Sequence, residues 1–197
     1  METKRKEYPA EWYDKIYHQD KINKTRYFLP PEKSAYCSIW NKAIQWIQDV
    51  PEPSLFDLGC GTGQFMDLAS RSGIQVVGGM DFSAEGVRIS QERMPGHAHL
   101  ISCQDLNIRP YEWLRPAKIM TLFEVLEHIR DDLGVLSALP ASQQVIFSVP
   151  NFKCENHVRI FPVKEELVER YGERLIITDV IQFRKVHIIW LVRGVTR

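Results

Sequence analysis

The sequence has no long hydrophobic run. Nowhere do roughly 18 apolar residues stand together, as a membrane-crossing helix requires, and the polar start Met1-Glu2-Thr3-Lys4-Arg5-Lys6 leads into no signal-like apolar stretch. A non-secreted, cytoplasmic protein without a membrane partner is expected. An excess of one charge is missing too: Lys plus Arg and Asp plus Glu number 25 each, so the overall field points to no nucleic-acid partner. The first 26 residues carry Lys4, Arg5, Lys6, Lys15, Lys21, Lys24 and Arg26, but Glu2, Glu7, Glu11, Asp14 and Asp20 interrupt them, as on a solvated surface. Cys37, Cys60, Cys103 and Cys154 form no C-x-x-C pair, which argues against a disulfide framework or zinc module and for reduced thiols. No repeat or low-complexity segment appears, and 197 residues fit one domain without a separate substrate domain of ordinary size.

What is present is a glycine-rich turn, Phe56-Asp57-Leu58-Gly59-Cys60-Gly61-Thr62-Gly63, between an apolar strand pattern and a helix pattern. Glycine backbone approaches a ligand where a Cβ would clash, and the following helix turns free N–H groups toward the same place. Asp81 closes the next apolar run, Ile74 to Met80, about 20 residues on, where a βαβ unit delivers a carboxylate to ribose hydroxyls. The dinucleotide fingerprint G-x-G-x-x-G needs glycine at position 64, which is Gln64, and no Gly-Lys-Ser/Thr run follows Gly59 to make a phosphate-binding loop of the ATPase kind.

The remaining pattern, with Asp57, Gly59, Gly61 and Gly63 at D-x-G-x-G-x-G spacing, resembles the first motif of the class I S-adenosylmethionine-dependent methyltransferases. The resemblance runs from about residue 54 to 170. It implies S-adenosyl-L-methionine as cofactor, Asp81 as ribose acid, Phe82 against the adenine with Ser83 beside it, and Asp105 with Leu106 at the adenine amino group. Cys60 lies inside the loop, where its small size fits. Phe123-Glu124-Val125-Leu126-Glu127-His128 resembles the E-V-L-E-H segment of ubiquinone-biosynthesis O-methyltransferases and other small-molecule methyltransferases, adding Phe123 and Glu124 to the cofactor-binding set.

Apolar runs at about 54–58, 74–80, 98–102, 117–123 and 143–149 alternate with helix-length stretches at about 64–72, 84–93, 130–139 and 163–171, which predicts an α/β fold with a doubly wound, mostly parallel sheet. Ahead of them Ser34 to Asp49 carries apolar residues at helical spacing. Arg174 to Phe183 and Val186 to Val192, separated by Arg184 and Lys185, predict an antiparallel hairpin like the reversed last strand of the Rossmann-like methyltransferase sheet. Residues 1–33 are expected to form an aromatic-rich helical lid and 34–197 the methyltransferase domain. Tyr13-Asp14-Lys15-Ile16-Tyr17 resembles a Y-D-x-x-Y leader whose tyrosines, Tyr13 and Tyr17 here, close over the cofactor; plain packing on the sheet edge is the competing reading.

Methyl transfer requires alignment of the acceptor and removal of its proton, with no covalent nucleophile. His128 is the candidate general base, with Glu127, His157 and Arg159 as catalytic partners; Pro150-Asn151 and Asn156-His157-Val158-Arg159-Ile160-Phe161 resemble a P-N…H-x-R-x-F element that orients the acceptor. Arg159 paired with an acid and His157 capping the helix near Pro162 is the alternative. Glu124, Glu127 and His128 fall at i, i+3 and i+4, on one side of a helical turn, and with His157 resemble the divalent-cation site of RNA 3′-terminal 2′-O-methyltransferases; no metal is expected here. In the metal-free reading Glu124 bonds cofactor-loop backbone and His128 caps the next helix. The expected activity is methylation of a small molecule at oxygen or nitrogen, with oligomeric state open. An RNA- or protein-directed enzyme, metal-assisted in the RNA case, and a non-catalytic cofactor-binding subunit are the alternatives.

Overall fold

The computed structural model describes residues 6–184 and 187–197. Lys185 and Val186, assigned above to the hairpin turn and the start of its second strand, and Met1 to Arg5 of the lid segment lie outside the described residues. The elements are α1 (Ala10–Asn23), α2 (Cys37–Gln48), β1 (Ser54–Leu58), α3 (Gln64–Arg71), β2 (Gln75–Asp81), α4 (Ala84–Arg93), β3 (Ile101–Cys103), β4 (Ile119–Phe123), α5 (Asp132–Ser137), β5 (Gln144–Pro150), α6 (Lys164–Gly172), β6 (Leu175–Arg184) and β7 (Ile188–Thr196), with short 3-10 turns between some of them. The strands form a seven-stranded sheet in the order β3-β2-β1-β4-β5-β7-β6. β7 runs antiparallel to both β5 and β6, while β1, β2 and β3 are parallel, which is the expected Rossmann-like arrangement with its reversed hairpin.

The chain divides into two compact units. One contains Pro9–Asp105 with Leu114–Met120; the other contains the described residues up to Tyr8, Leu106–Trp113 and Thr121–Arg197.

In the first unit α2 buries Ile39, Trp40, Ala43, Ile44, Trp46 and Ile47, residues at helical spacing, and all five residues of β1 are buried. β2 contains Gly78 and Gly79 for a steric reason. A Cβ on Gly78 would stand 2.5 Å from the Phe56 ring, and one on Gly79 would stand 2.4 Å from Met66 Sδ. Strand-forming propensity is given up there so that Phe56 and Met66, both buried, fill the space beside the backbone. The third strand is shorter than the sequence suggests. Pro95–Leu100 is a 3-10 turn, so the run at 98–102 contributes only Ile101 and Ser102 to β3, which pairs Ile101 with Gly79 and Cys103 with Asp81. Proline sits at the start of that turn, where its fixed φ suits helical geometry and its missing N–H costs nothing.

In the second unit the hairpin is longer than predicted, reaching Thr196. Its end secures the turn before β5: Thr196 Oγ1 donates to Pro140 O and accepts from Gln143 N. Asp132 is fully buried at the start of α5 and carries two cations. Arg170 of α6 donates to both of its oxygens, with Nε at 2.9 Å, and Arg159 lies 3.1 Å away. A buried carboxylate is retained only with such partners, and removing it leaves two partly buried guanidinium groups uncompensated. Asp132→Ala is expected to lose about 3–5 kcal/mol of stability, read from urea unfolding; a loss below about 1 kcal/mol would show that packing alone holds α5 and α6.

Candidate active site

The glycine loop is built as its composition requires. Gly59, Gly61 and Gly63 all have positive φ, at 79°, 51° and 75°. At Gly63 a Cβ would meet Ser90 Oγ of α4 at 2.4 Å, and at Gly61 it would meet the Tyr17 hydroxyl at 3.2 Å. The loop is tied to the end of β2 by its own amides. Gly59 and Cys60 both donate to Met80 O at 2.8 Å, and Gly61 N donates to Asp81 Oδ2 at 2.8 Å.

Asp81 is buried, and its other oxygen accepts from Ser83 N at 2.8 Å. Burial pushes its carboxyl up to about 6, against the lowering pull of the Ser83 and Gly61 amides, with the nearby Asp14 charge adding to the rise. Asp57 is buried at the end of β1, and Cys60 is buried with its thiol pushed well up by desolvation, a small inert filler. Phe82 and Tyr13 meet ring to ring at 5.1 Å, and Tyr17 packs on the α4 backbone at Gly86, whose absent Cβ would lie 3.0 Å from the ring. Ser83 is the N-cap of α4, its hydroxyl accepting from Gly86 N at 3.0 Å. The structure thus brings Tyr13, Tyr17, Gly61, Asp81, Phe82 and Ser83 together. Asp105 follows β3 half-buried.

Two residues in this unit take roles that the sequence did not suggest. Gln64, at the position a dinucleotide site gives to glycine, donates its amide to Arg26 O at 3.2 Å and Leu29 O at 2.7 Å. Arg93 donates to Thr62 O, Tyr27 O and Phe28 O, so the 3-10 turn Arg26–Phe28 after α1 is held against the glycine loop through its carbonyls. The missing glycine at 64 was the one available signal.

In the other unit, Leu106 is buried and its carbonyl accepts from Tyr111 Oη at 2.7 Å, while Phe123 ends β4 half-buried. Glu124 corrects the helical-turn reading of Glu124, Glu127 and His128. Its φ is 56°, in the left-handed region, and only Leu126–His128 forms a 3-10 turn. Its N–H donates to Ser148 O and Oγ, and Ser148 Oγ donates to its carboxylate at 2.7 Å; burial lifts that carboxyl to about 7. The next helix, α5, is capped by Asp131, not His128.

Glu127, His128 and His157 do converge: one ligand-type atom of each lies within 4.8 Å of the others, and Glu124 is not in that group. His128 Nδ1 contacts Asn156 O at 2.9 Å and His157 Nδ1 contacts Phe152 O at 3.0 Å. A carbonyl only accepts, so each Nδ1 carries the proton and each Nε2 presents a lone pair. His128 Nε2 lies 3.6 Å from Glu127 Oε1. Burial pushes the His128 imidazolium down to about 4 and lifts the Glu127 carboxyl well above the usual range. Glu127 is fully buried, and neither of its oxygens has a hydrogen-bond partner among the described residues.

Arg159 points elsewhere. It donates to Leu126 O, Ile129 O and Arg130 O and pairs with Asp132, so it clasps the segment that carries Glu127 and His128. His157 does not cap α6, whose N-cap is Val163 without a side-chain bond. Asn151 extends the sheet by exchanging bonds with Ile188, through Asn151 N to Ile188 O and Ile188 N to Asn151 Oδ1. No helix among the described residues is long and apolar enough to cross a membrane.

Comparison with known proteins places this geometry in a family. No curated protein matches the chain in sequence. Solved structures with the same fold include the N-methyltransferase NodS from Bradyrhizobium japonicum WM9 in complex with S-adenosyl-L-homocysteine, at TM-score 0.68 and 12% identity over 93% of this chain and 98% of that one. Magnesium protoporphyrin IX methyltransferase (ChlM) from Synechocystis PCC 6803 with bound SAM matches at TM-score 0.63 and 16% identity, over 93% and 97%. The [4+2]-cyclase SpnF matches at TM-score 0.70 and 14% identity, over 95% of each chain. The family model for a methyltransferase domain matches residues 13–171, and the chain belongs to that family.

Proposed function

We propose that the protein transfers a methyl group from S-adenosylmethionine to an oxygen, or a nitrogen, of a small-molecule acceptor in the cytoplasm, without a nucleic-acid or membrane partner. The observation that carries this reading is the glycine loop, whose left-handed glycines at 59, 61 and 63 bring its backbone amides to the end of β2 beside the buried Asp81 carboxylate. These residues fit the cofactor. Gly59, Cys60, Gly61 and Gly63 admit its amino-acid part close to backbone, Asp57 adds a buried acid, Asp81 has lone pairs left for ribose hydroxyls, and Phe82, Ser83 and Asp105 serve the adenine side. Bound there, the cofactor supplies an electrophilic methyl on a sulfonium. Tyr13 and Tyr17 cover the loop and exclude water.

His128 serves the acceptor. The Asn156 carbonyl fixes its tautomer, leaving Nε2 as a lone pair, and burial keeps the ring neutral at pH 7, so it receives the acceptor's proton as the new bond forms. His157, in the same tautomer, orients the acceptor with Glu127, and Arg159 acts at one remove by fixing the 126–130 backbone.

A second reading rests on the same cluster. Two Nε2 lone pairs and an unsatisfied buried carboxylate suit a divalent cation, with each imidazole oriented by a carbonyl on its far nitrogen as metal-bound histidines are. Such an ion would orient vicinal hydroxyls of an RNA acceptor. Chelation decides between the readings: activity that survives exhaustive chelator treatment supports the metal-free small-molecule enzyme, and activity lost and restored by Mn²⁺ or Mg²⁺ supports the other.

Three outcomes are expected. Asp81→Ala weakens S-adenosylhomocysteine binding by about 1.5–3 kcal/mol in calorimetry, and wild-type affinity in the folded variant would remove Asp81 from the site. Because the raised Asp81 carboxyl takes up a proton as pH falls through about 6, and only the ionised form accepts both hydroxyls, affinity is flat above that pH and drops about tenfold per unit below it. Asp81→Asn should abolish that slope. His128→Ala lowers turnover roughly 10²–10⁴-fold with cofactor affinity unchanged; a fully active variant would refute both readings of the cluster.

A further inference from the structure

We propose that Asp14 of α1 is a positioning residue for Asp81, acting through Ser83, so that the N-terminal helix sets the geometry of the ribose-binding carboxylate. The proposal rests on Asp81 holding ribose, as argued above.

The connection is a short chain of bonds. Ser83 Oγ donates to Asp14 Oδ1 at 2.5 Å, and the same oxygen accepts from Glu85 N at 3.0 Å. Ser83 Oγ in turn accepts from Gly86 N, and Ser83 N donates to Asp81 Oδ1. The first turn of α4 therefore has two caps of different origin: its own Ser83 takes the amide of Gly86, and Asp14, from 71 residues earlier, takes that of Glu85. Between them they fix the turn from Asp81 to Glu85. A Ser83 hydroxyl without Asp14 is free to rotate its proton elsewhere, and the Ser83 amide that aims Asp81 loses its outer support.

The helix is seated for this purpose. One turn of α1 carries Tyr13 onto Phe82, Asp14 onto Ser83 and Glu85, and Tyr17 onto Gly61 and Gly86. Its far end is fixed separately, since Asp20 accepts from Thr25 Oγ1 and Tyr27 N, and the carbonyls of Arg26 to Leu29 are held by Gln64 and Arg93. Asp14 is thus the polar link between a seated helix and the cofactor acid. The titratable groups around Asp81 are Asp14 and Tyr17 from α1, Cys60 from the loop and Cys103 from β3; of these Asp14 contributes a negative charge that opposes ionisation of Asp81.

The test is calorimetry of the full chain with S-adenosylhomocysteine from pH 5 to 8, for wild type, Asp14→Asn, Ser83→Ala and the double variant, with hydrogen exchange of residues 10–23 alongside. Asp14→Asn is expected to weaken binding about 5–20-fold at pH 7.5 and to move the midpoint of the pH dependence downward, because the amide removes a charge from beside Asp81. The double variant should bind no more weakly than Ser83→Ala alone, since both act on one path. Wild-type affinity and midpoint in Asp14→Asn, or strictly multiplicative losses in the double variant, would overturn the proposal. So would exchange that shows α1 released while the midpoint stays put, which makes Asp14 a docking contact only. A wild-type chain that binds no S-adenosylhomocysteine would instead refute the cofactor reading, and the Asp81 midpoint followed by carboxylate NMR in the two chains then decides on Asp14.

Discussion

The bond from Gly61 N to the Asp81 carboxylate is the constraint on which the first unit depends. It joins the crest of the loop after β1 to the last residue of β2, and it forms only because those strands are parallel and in a register that sets Leu58 beside Met80. Met80 O accepts from Gly59 and Cys60 in the same step, so three consecutive loop amides are fixed by two residues of the neighbouring strand. The left-handed glycines are the means of turning those amides inward, and Gly78 and Gly79 are the means of letting Phe56 and Met66 fill the sheet face. Core packing and loop geometry are consequences of one strand pairing.

The second unit solves a different problem, that of holding a segment with almost no regular structure. Residues 124–131 contain a single 3-10 turn, and Glu124 sits in a backbone conformation that non-glycine residues rarely adopt. Three carbonyls of the segment converge on Arg159, which Asp132 neutralises and Arg170 shares. A lysine would not replace this arginine, because several carbonyls and a carboxylate need a planar fork of donors. Meanwhile Glu127 O accepts from Val158 N and Arg159 N, so the segment and the 156–159 stretch brace each other through backbone and side chain.

The sequence made legible what is local. The D-x-G-x-G-x-G spacing, Asp81 at a strand end and the β-rich tail each follow from short-range chemistry, and the sheet they imply is the one observed. Misreadings came where one periodicity fitted two structures. His99-Leu100-Ile101 looks like the start of a strand, but Pro95 opens a 3-10 turn that runs to Leu100. Glu124, Glu127 and His128 fit helical spacing, yet Ser148 captures the Glu124 amide and turns the backbone left-handed. Long-range links such as Asp14 to Ser83, Gln64 to Leu29 and Arg159 to Leu126 leave no local periodicity at all, and the run Asp131-Asp132 gives no hint that the first caps a helix in solvent while the second is buried under two arginines.

Two desolvated carboxylates, one in each unit, follow one principle. Asp81 and Glu124 are both lifted toward neutrality chiefly by desolvation, and both retain ionised-form partners too few to offset it: backbone amides alone for Asp81, the Ser148 hydroxyl for Glu124. Below about pH 6 the folded chain holds a proton on Asp81 that the unfolded chain releases nearer 4, so burial of this group costs stability progressively as pH rises through that window. A ligand that brings hydroxyl donors reverses the balance, since each new bond to the ionised form lowers the carboxyl again. A ligand of that kind would offset the stability lost in keeping an under-satisfied acid inside, and its uptake would release the proton that Asp81 holds below about pH 6.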